Sequence, residues 1–305
     1  MKSATSKSLQ KTFSESILAD YLELTKPGIT ILVLASMMIG FILGSTAGID
    51  FVLLFHAIIG TLLIAAGTAA HNQFIERDLD KLMVRTSKRP LPTSRIAPAH
   101  ALLFSLSMIL IGLVYLIAMV NLAAGLVSAV TSVMYLAIYT PMKRVSFSNV
   151  WIGAIPGALP PVGGWAAATG SVLEPGMWVL FGIVFLWQVP HVVAIAWLCN
   201  DDYTRAGFRM LPKNDSNGKI AALSVLGCLV LIIPVSTLLY TLGFNTIIYL
   251  IGAILAGLYF LYFGLKFWQE RNMATAKKLM FASLAYLPLI WILIIADRLL
   301  IFFFQ

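Results

Sequence analysis

The chain has 305 residues, of which 60% are hydrophobic and only 11% charged, with a formal charge of +8. Soluble domains carry about 25% charged residues, so this composition points to a bilayer as solvent. Its lysines and arginines are scattered through short segments between apolar runs, which argues against a nucleic-acid partner.

The first 27 residues lack the apolar stretch of a signal peptide, and Glu15, Asp20 and Glu23 do not suit a mitochondrial leader. They read as a cytoplasmic segment whose amphipathic stretch lies on the membrane surface. Nine apolar runs of spanning length follow, near 28–48, 51–74, 98–119, 121–141, 149–168, 175–199, 219–240, 245–266 and 279–302. The fifth, IGAIPGALPPVGGWAAATG, is interrupted by glycine and proline and is expected to kink or to be partly re-entrant. The expected fold is therefore an all-α integral membrane protein, a nine-helix domain over 28–302 around a central cavity.

Nine crossings sort the charges. Lysines 2, 7, 11 and 26, the basic residues of 77–95, Lys143 and Arg144, those of 205–219 and those of 266–278 fall on one side, and only Arg298 falls toward the other. The positive-inside rule makes the charged side cytoplasmic and the C-terminus external, in a bacterial inner membrane. Cys199 and Cys228 lie far apart, at or inside spans, and suggest no disulfide framework.

The segment after the second run reads HNQFIERDLDKLMVRTSKRPLP, and the one after the sixth reads CNDDYTRAGFRMLP. Both pass from acidic to basic to Arg-x-Leu-Pro, and Arg209 follows Arg89 by 120 positions. The offset suggests two four-helix pseudo-repeats plus one C-terminal helix, each half giving an acidic helix end to a shared cavity.

In the first segment Asn72, Glu76 and Asp80 stand at i, i+4 and i+8, along one stripe of a helix continuing from the second run; Asp78 lies off it. Carboxylates so close to one another and to the bilayer repel unless a cation is shared, and an all-oxygen set suits Mg²⁺, commonly held together with a substrate's phosphates. Arg85, Lys88, Arg89, Lys143 and Arg144 are the candidate diphosphate ligands. A solvated network of these acids with Arg77, Lys81 and Arg85 is the simpler alternative.

YLELTKPGI at 21–29, the Asn72/Glu76/Asp80 helix with ERDLDKLMVRTSKRPLP, YTPMKR at 139–144 and PHVVAIAWLCNDDYTRAGFRMLP at 190–212 together resemble the UbiA superfamily of intramembrane prenyltransferases, and within it the branch that prenylates heme. The resemblance implies that farnesyl diphosphate binds through Mg²⁺, and that its farnesyl group is transferred to a vinyl group of heme b with addition of water. It assigns Asn72, Glu76 and Asp80 to one metal, Asp201 and Asp202 to a second, and Tyr139 to the substrate site. The Asn200-Asp201-Asp202-Tyr203 sequence is shorter in acids than the superfamily's usual second motif, which weakens the second metal site. A downstream heme-modifying enzyme or a terminal oxidase would be the protein partner.

His191, after Pro190, is a candidate to hold heme iron or a propionate, against the alternative of a histidine bonded to a neighbouring helix. On a continuous helix it would share a face with Asp202, and Trp187 and Trp197 flank it as possible packing for a porphyrin. His56, His71 and His100 read as structural. Two rival readings stay open: a prenyltransferase for an aromatic or quinone precursor, and a secondary transporter, whose coupled-ion site would be expected deeper in the bilayer.

Overall fold

The computed structural model describes residues 16–46 and 48–304, with side chains to 300. Residues 1–15, which hold Lys2, Lys7, Lys11, Glu15 and part of the expected amphipathic stretch, lie outside the described residues. The described chain is helical throughout: α1 (16–24), α2 (Pro27–Gly44), α3 (Phe51–Asp80), α4 (Pro98–Met119), α5 (Leu122–Met142), α6 (Asn149–Ala158), α7 (Pro160–Thr169), α8 (Pro175–Leu198), α9 (Asn200–Arg205), α10 (Lys219–Thr241), α11 (Ile247–Glu270) and α12 (Met273–Phe304). Among the described residues eight helices are long and apolar enough to cross a membrane: α2, α3, α4, α5, α8, α10, α11 and α12.

The expected crossing over 149–168 is a broken pair. Pro160 and Pro161 carry no N–H to continue the ladder, so α6 ends at Ala158 and α7 starts at Pro160, ten residues each. Neither spans by itself. The pair nevertheless leads from Asn149, whose Nδ2 donates to the Arg209 carbonyl (2.9 Å), to Ala166 and Ala167, whose carbonyls accept from Asn121 Nδ2 (2.9 and 3.0 Å). Those partners belong to opposite ends of the bundle.

Close approach of small residues joins α2 to α7. A Cβ on Gly40 would lie 1.8 Å from the Pro161 carbonyl oxygen, and one on Gly164 would lie 1.8 Å from that of Met37. Lipid supplies little drive for helix association, so such backbone contacts carry much of the packing. α4 presents Leu103, Leu106, Leu110, Ile111 and Val114 outward, as a lipid-facing side requires.

The connections that carry most of the charge meet at one end. Asp202 of α9 contacts the turn after α3, Arg209 contacts the turn after α5, and Gly218 packs against Trp197 and Arg271. At the other end Asp50 caps α3 by accepting from Val52 N and Leu53 N (both 2.9 Å). Buried Asp297 of α12 there accepts from Asn245 Nδ2 (3.0 Å) and Thr246 N (2.6 Å). The far end is thus sparsely charged rather than neutral, and these acids serve helix ends.

Candidate active site

α3 is a single helix of 30 residues that carries Asn72, Glu76 and Asp80 on its last turns, all buried. Regular geometry places them on one stripe, as their spacing implied. Each is met by a cation from a different part of the chain. Lys26 Nζ donates to Asn72 Oδ1 (2.7 Å), Lys143 Nζ to Glu76 Oε1 (2.7 Å) and Arg89 NH1 to Asp80 Oδ2 (2.8 Å). Asp80 Oδ1 is buried without a hydrogen-bond partner.

Local structure puts each cation in place. Lys26 precedes Pro27 in a left-handed conformation (φ 48°), which turns the chain from α1 into α2. Lys143 caps the end of α5, one turn beyond a π-helical segment, Met134–Tyr139. The wider turn also sets Thr140 against the stripe: Asn72 Nδ2 donates to Thr140 Oγ1 (3.2 Å), which donates to the Tyr135 carbonyl (2.8 Å). Arg89 lies in the turn-rich segment after α3, anchored where Thr86 Oγ1 donates to the Asp80 carbonyl (2.9 Å).

A cavity of about 460 Å³ runs from this stripe into the bundle. Lys26, Arg85, Arg89 and Lys143 stand at its charged end, Tyr135, Tyr139 and Tyr203 follow, and Trp187, Gln188 and His191 lie further along α8. Burial, with the Arg89 and Lys143 charges nearby, lowers the Lys26 ammonium to about 7. Burial works against the Lys143 ammonium as well, but Tyr139 and Glu76 more than offset it and hold Lys143 above its usual range. Lys143 also sits 4.7 Å from the centre of the Tyr139 ring.

The glycines of the broken fifth run are part of this cavity. A Cβ on Gly153 would lie 2.4 Å from the Tyr139 ring, and one on Gly157 would lie 2.2 Å from the Gln188 amide. Those glycines leave the space that lets Tyr139 and Gln188 lie where they do.

The second acidic segment takes a different part from the one its likeness to the first implied. α8 ends at Cys199 (φ −111°, ψ 21°), so Asp202 belongs to a separate short helix and does not continue the face of His191. Its carboxylate accepts from Val84 N (3.2 Å) and Arg85 N (3.1 Å) and pairs with Arg205. The Arg85 amide is the main cause that holds its pKa below the usual carboxylate range. Asp201 is exposed and lies off the cavity wall. Among the described residues no three His, Cys, Asp or Glu side chains converge as a metal cluster.

Arg209 departs from Arg89 too: its guanidinium donates to the Val145 carbonyl (2.9 Å) and its N–H to the Lys143 carbonyl (2.6 Å). The second segment therefore braces the turns that carry Arg85 and Lys143. Of the other expected diphosphate ligands, Lys88 and Arg144 are exposed and outside the cavity lining.

His191 lies in the cavity wall, stacked on Trp187 (centroids 5.1 Å apart, planes 15° apart). Trp197 instead packs edge-on against Phe267 (5.2 Å, 90°), away from the cavity. His56 bonds Tyr115 (2.7 Å) and His71 bonds Ser105 (3.0 Å), both on α4, as structural histidines do. Lys26 and Gln188 are cavity residues that sequence patterning did not single out. The signals for Lys26 were its place in the YLELTKPGI segment and a lysine against the proline that opens the first span.

Comparison with known proteins places the chain in a family. Residues 33–285 match the UbiA prenyltransferase family. The chain is 45% identical to the protoheme IX farnesyltransferase of Solibacter usitatus, covering 92% of this chain and 98% of that protein. It is 39% identical to the protoheme IX farnesyltransferase of Opitutus terrae, covering 94% and 97%. A solved structure of digeranylgeranylglyceryl phosphate synthase superposes with a TM-score of 0.78 at 20% identity, covering 92% of this chain and 98% of that one. A UbiA homolog from Archaeoglobus fulgidus bound to DMAPP and Mg²⁺ gives 0.68 at 16% identity, covering 90% and 99%. With a family match over most of its length, relatives covered almost end to end and the same fold, this multi-pass membrane chain belongs to the UbiA prenyltransferase family.

Proposed function

We propose that this enzyme transfers the farnesyl group of farnesyl diphosphate to a vinyl group of heme b, with addition of water, to give heme O. The observation that carries this reading is that one cavity joins a cluster of cations over a carboxylate stripe to an apolar interior walled by His191 and Trp187. The relatives named protoheme IX farnesyltransferase support this acceptor.

Lys26, Arg85, Arg89 and Lys143 would bind the diphosphate and neutralise the charge that develops on it as the allylic C–O bond breaks. Tyr135, Tyr139 and Tyr203 line the cavity next to those cations, where an allylic cation would form, and the apolar wall beyond would keep bulk water from capturing it. The vinyl carbon then attacks, and water closes the resulting cation.

Asn72, Glu76 and Asp80 fit a magnesium ion: they offer oxygen donors on one stripe, and Asp80 Oδ1 is buried with no other partner. Bound there, Mg²⁺ would supply further charge neutralisation to the leaving diphosphate. A second ion on Asp201 and Asp202 would have to share the Asp202 carboxylate with the Val84 and Arg85 amides and the Arg205 guanidinium.

Depth also separates this reading from a transporter. The stripe ends at Asp80, the last residue of α3, rather than at a helix midpoint. With its charged loops on the cytoplasmic side, the protein would take both substrates from a bacterial inner membrane. The test is acceptor choice. Purified protein supplied with labelled farnesyl diphosphate and Mg²⁺ is expected to label heme b and not a hydroxybenzoate or quinone precursor; the reverse preference would replace this reading with the aromatic one.

A further inference from the structure

Ser283, buried on α12, bonds His191, the only histidine among the described residues of the cavity wall. Its Oγ lies 2.5 Å from the Met280 carbonyl oxygen and 2.7 Å from His191 Nδ1. A hydroxyl has one hydrogen. A carbonyl oxygen cannot donate, so at 2.5 Å that hydrogen must lie on the bond to Met280, and Ser283 Oγ has only lone pairs left for the imidazole. The ring therefore donates, which puts its proton on Nδ1 and leaves Nε2 as a bare lone pair. Among the described residues Nε2 makes no hydrogen bond within the protein, and His191 borders the cavity.

The same serine fixes the ring's surroundings. Trp187 Nε1 donates to the Ser283 carbonyl (2.7 Å), and the Trp187 indole lies flat against the imidazole. One residue of α12 thus holds the histidine by its side chain and, by its backbone, the tryptophan that limits rotation of the ring. Histidines that bind metals commonly donate their second N–H to such a partner, which sets the tautomer and raises the basicity of the free nitrogen.

We infer that Ser283 is a positioning residue that keeps His191 in the Nδ1–H tautomer and aims its Nε2 lone pair at the iron of the bound porphyrin. The inference rests on the reading that heme enters this cavity. Ligation of the iron at Nε2 would hold the macrocycle at a set depth along α8 and so present a vinyl edge toward the diphosphate end.

The experiment uses the full chain in detergent or nanodiscs with reduced heme b, read by resonance Raman for the iron–histidine stretch. Wild type is expected to show the band and His191→Ala to lose it. In Ser283→Ala and in the size-matched Ser283→Cys, heme should still bind. The band should fall in frequency as the imidazole loses its acceptor, and KM for heme should rise by about tenfold, the lower end for such outer partners. KM for farnesyl diphosphate should not move.

A band unchanged in both Ser283 variants but lost in His191→Ala would overturn the role of Ser283 and leave heme at His191. No band in wild type, or a band that survives His191→Ala, would overturn the inference through its ligand. Absence of heme binding altogether would remove the acceptor reading on which it rests.

Discussion

Asp80→Asn separates chemistry from folding at the carboxylate stripe. The Asp80 side chain is 1% exposed, and it faces Arg89, itself 19% exposed, across 2.8 Å. Asparagine keeps an oxygen to accept from Arg89, so what is lost is the difference between a charge-assisted and a neutral hydrogen bond, about 1 kcal/mol. Arg89 remains able to draw on the open cavity for solvation, so the full 3–5 kcal/mol of a severed buried pair does not apply. The fold should survive.

Catalysis should not. The substitution removes one of the two carboxylates on the stripe and the free Oδ1 that suits a cation, and loss of one such electrostatic group costs about 10²- to 10³-fold in turnover. The assay is turnover against Mg²⁺ concentration in wild type and variant, with thermal unfolding of the purified proteins alongside. Near-normal turnover at an unchanged Mg²⁺ midpoint would refute the assignment. A collapsed Tm would refute the claim that the cost is chemical.

Lys26, lowered to about 7 by burial, is largely neutral above that value, and a bound diphosphate needs it charged. Binding should therefore take up a proton, with Kd for a farnesyl diphosphate analogue rising by up to about tenfold per pH unit between pH 7.5 and 9. Lys26→Met should flatten that slope, and a slope that persists would assign it elsewhere. In the apo protein the same shift means that the unfolded chain binds the extra proton between pH 7 and the ordinary lysine range, so stability should rise with pH there. Asp202→Asn loosens the Val84 and Arg85 amides, and is expected to raise KM for farnesyl diphosphate while leaving heme binding as it was in an optical titration. Gly164→Ala would push a methyl group onto the Met37 carbonyl, and should lower stability by about 1–3 kcal/mol in thermal unfolding of the detergent-solubilised protein.

Apolar runs of spanning length made most of the bundle legible from sequence, because a bilayer leaves few other ways to satisfy the backbone. The fifth run was legible as irregular, but not as two helices meeting at Leu159, since whether consecutive prolines kink or break a helix depends on the packing around them. The stripe of Asn72, Glu76 and Asp80 followed from helical periodicity alone.

Its partners did not follow, because Lys26 and Lys143 reach it from 46 and 67 residues away. The likeness of the two Arg-x-Leu-Pro segments misled in one respect. It marks similar turns, yet Arg89 pairs with a carboxylate and Arg209 with backbone carbonyls, a difference decided by which helix end faces each turn. Ser283 carries no sequence signal, since one serine in an apolar helix commonly bonds its own backbone. Only the fold sets it beside His191.

The most direct measurement of the central claim is the mass of the heme recovered after incubating the purified protein with heme b, farnesyl diphosphate and Mg²⁺ in water enriched in ¹⁸O. The account requires a product heavier than heme b by one farnesyl group and one hydroxyl, the second hydrogen of the water leaving as a proton, with the label in that hydroxyl and about 10²- to 10³-fold less formed by Asp80→Asn. Heme recovered unchanged, while a quinone or benzoate precursor in the same mixture becomes prenylated, would contradict it.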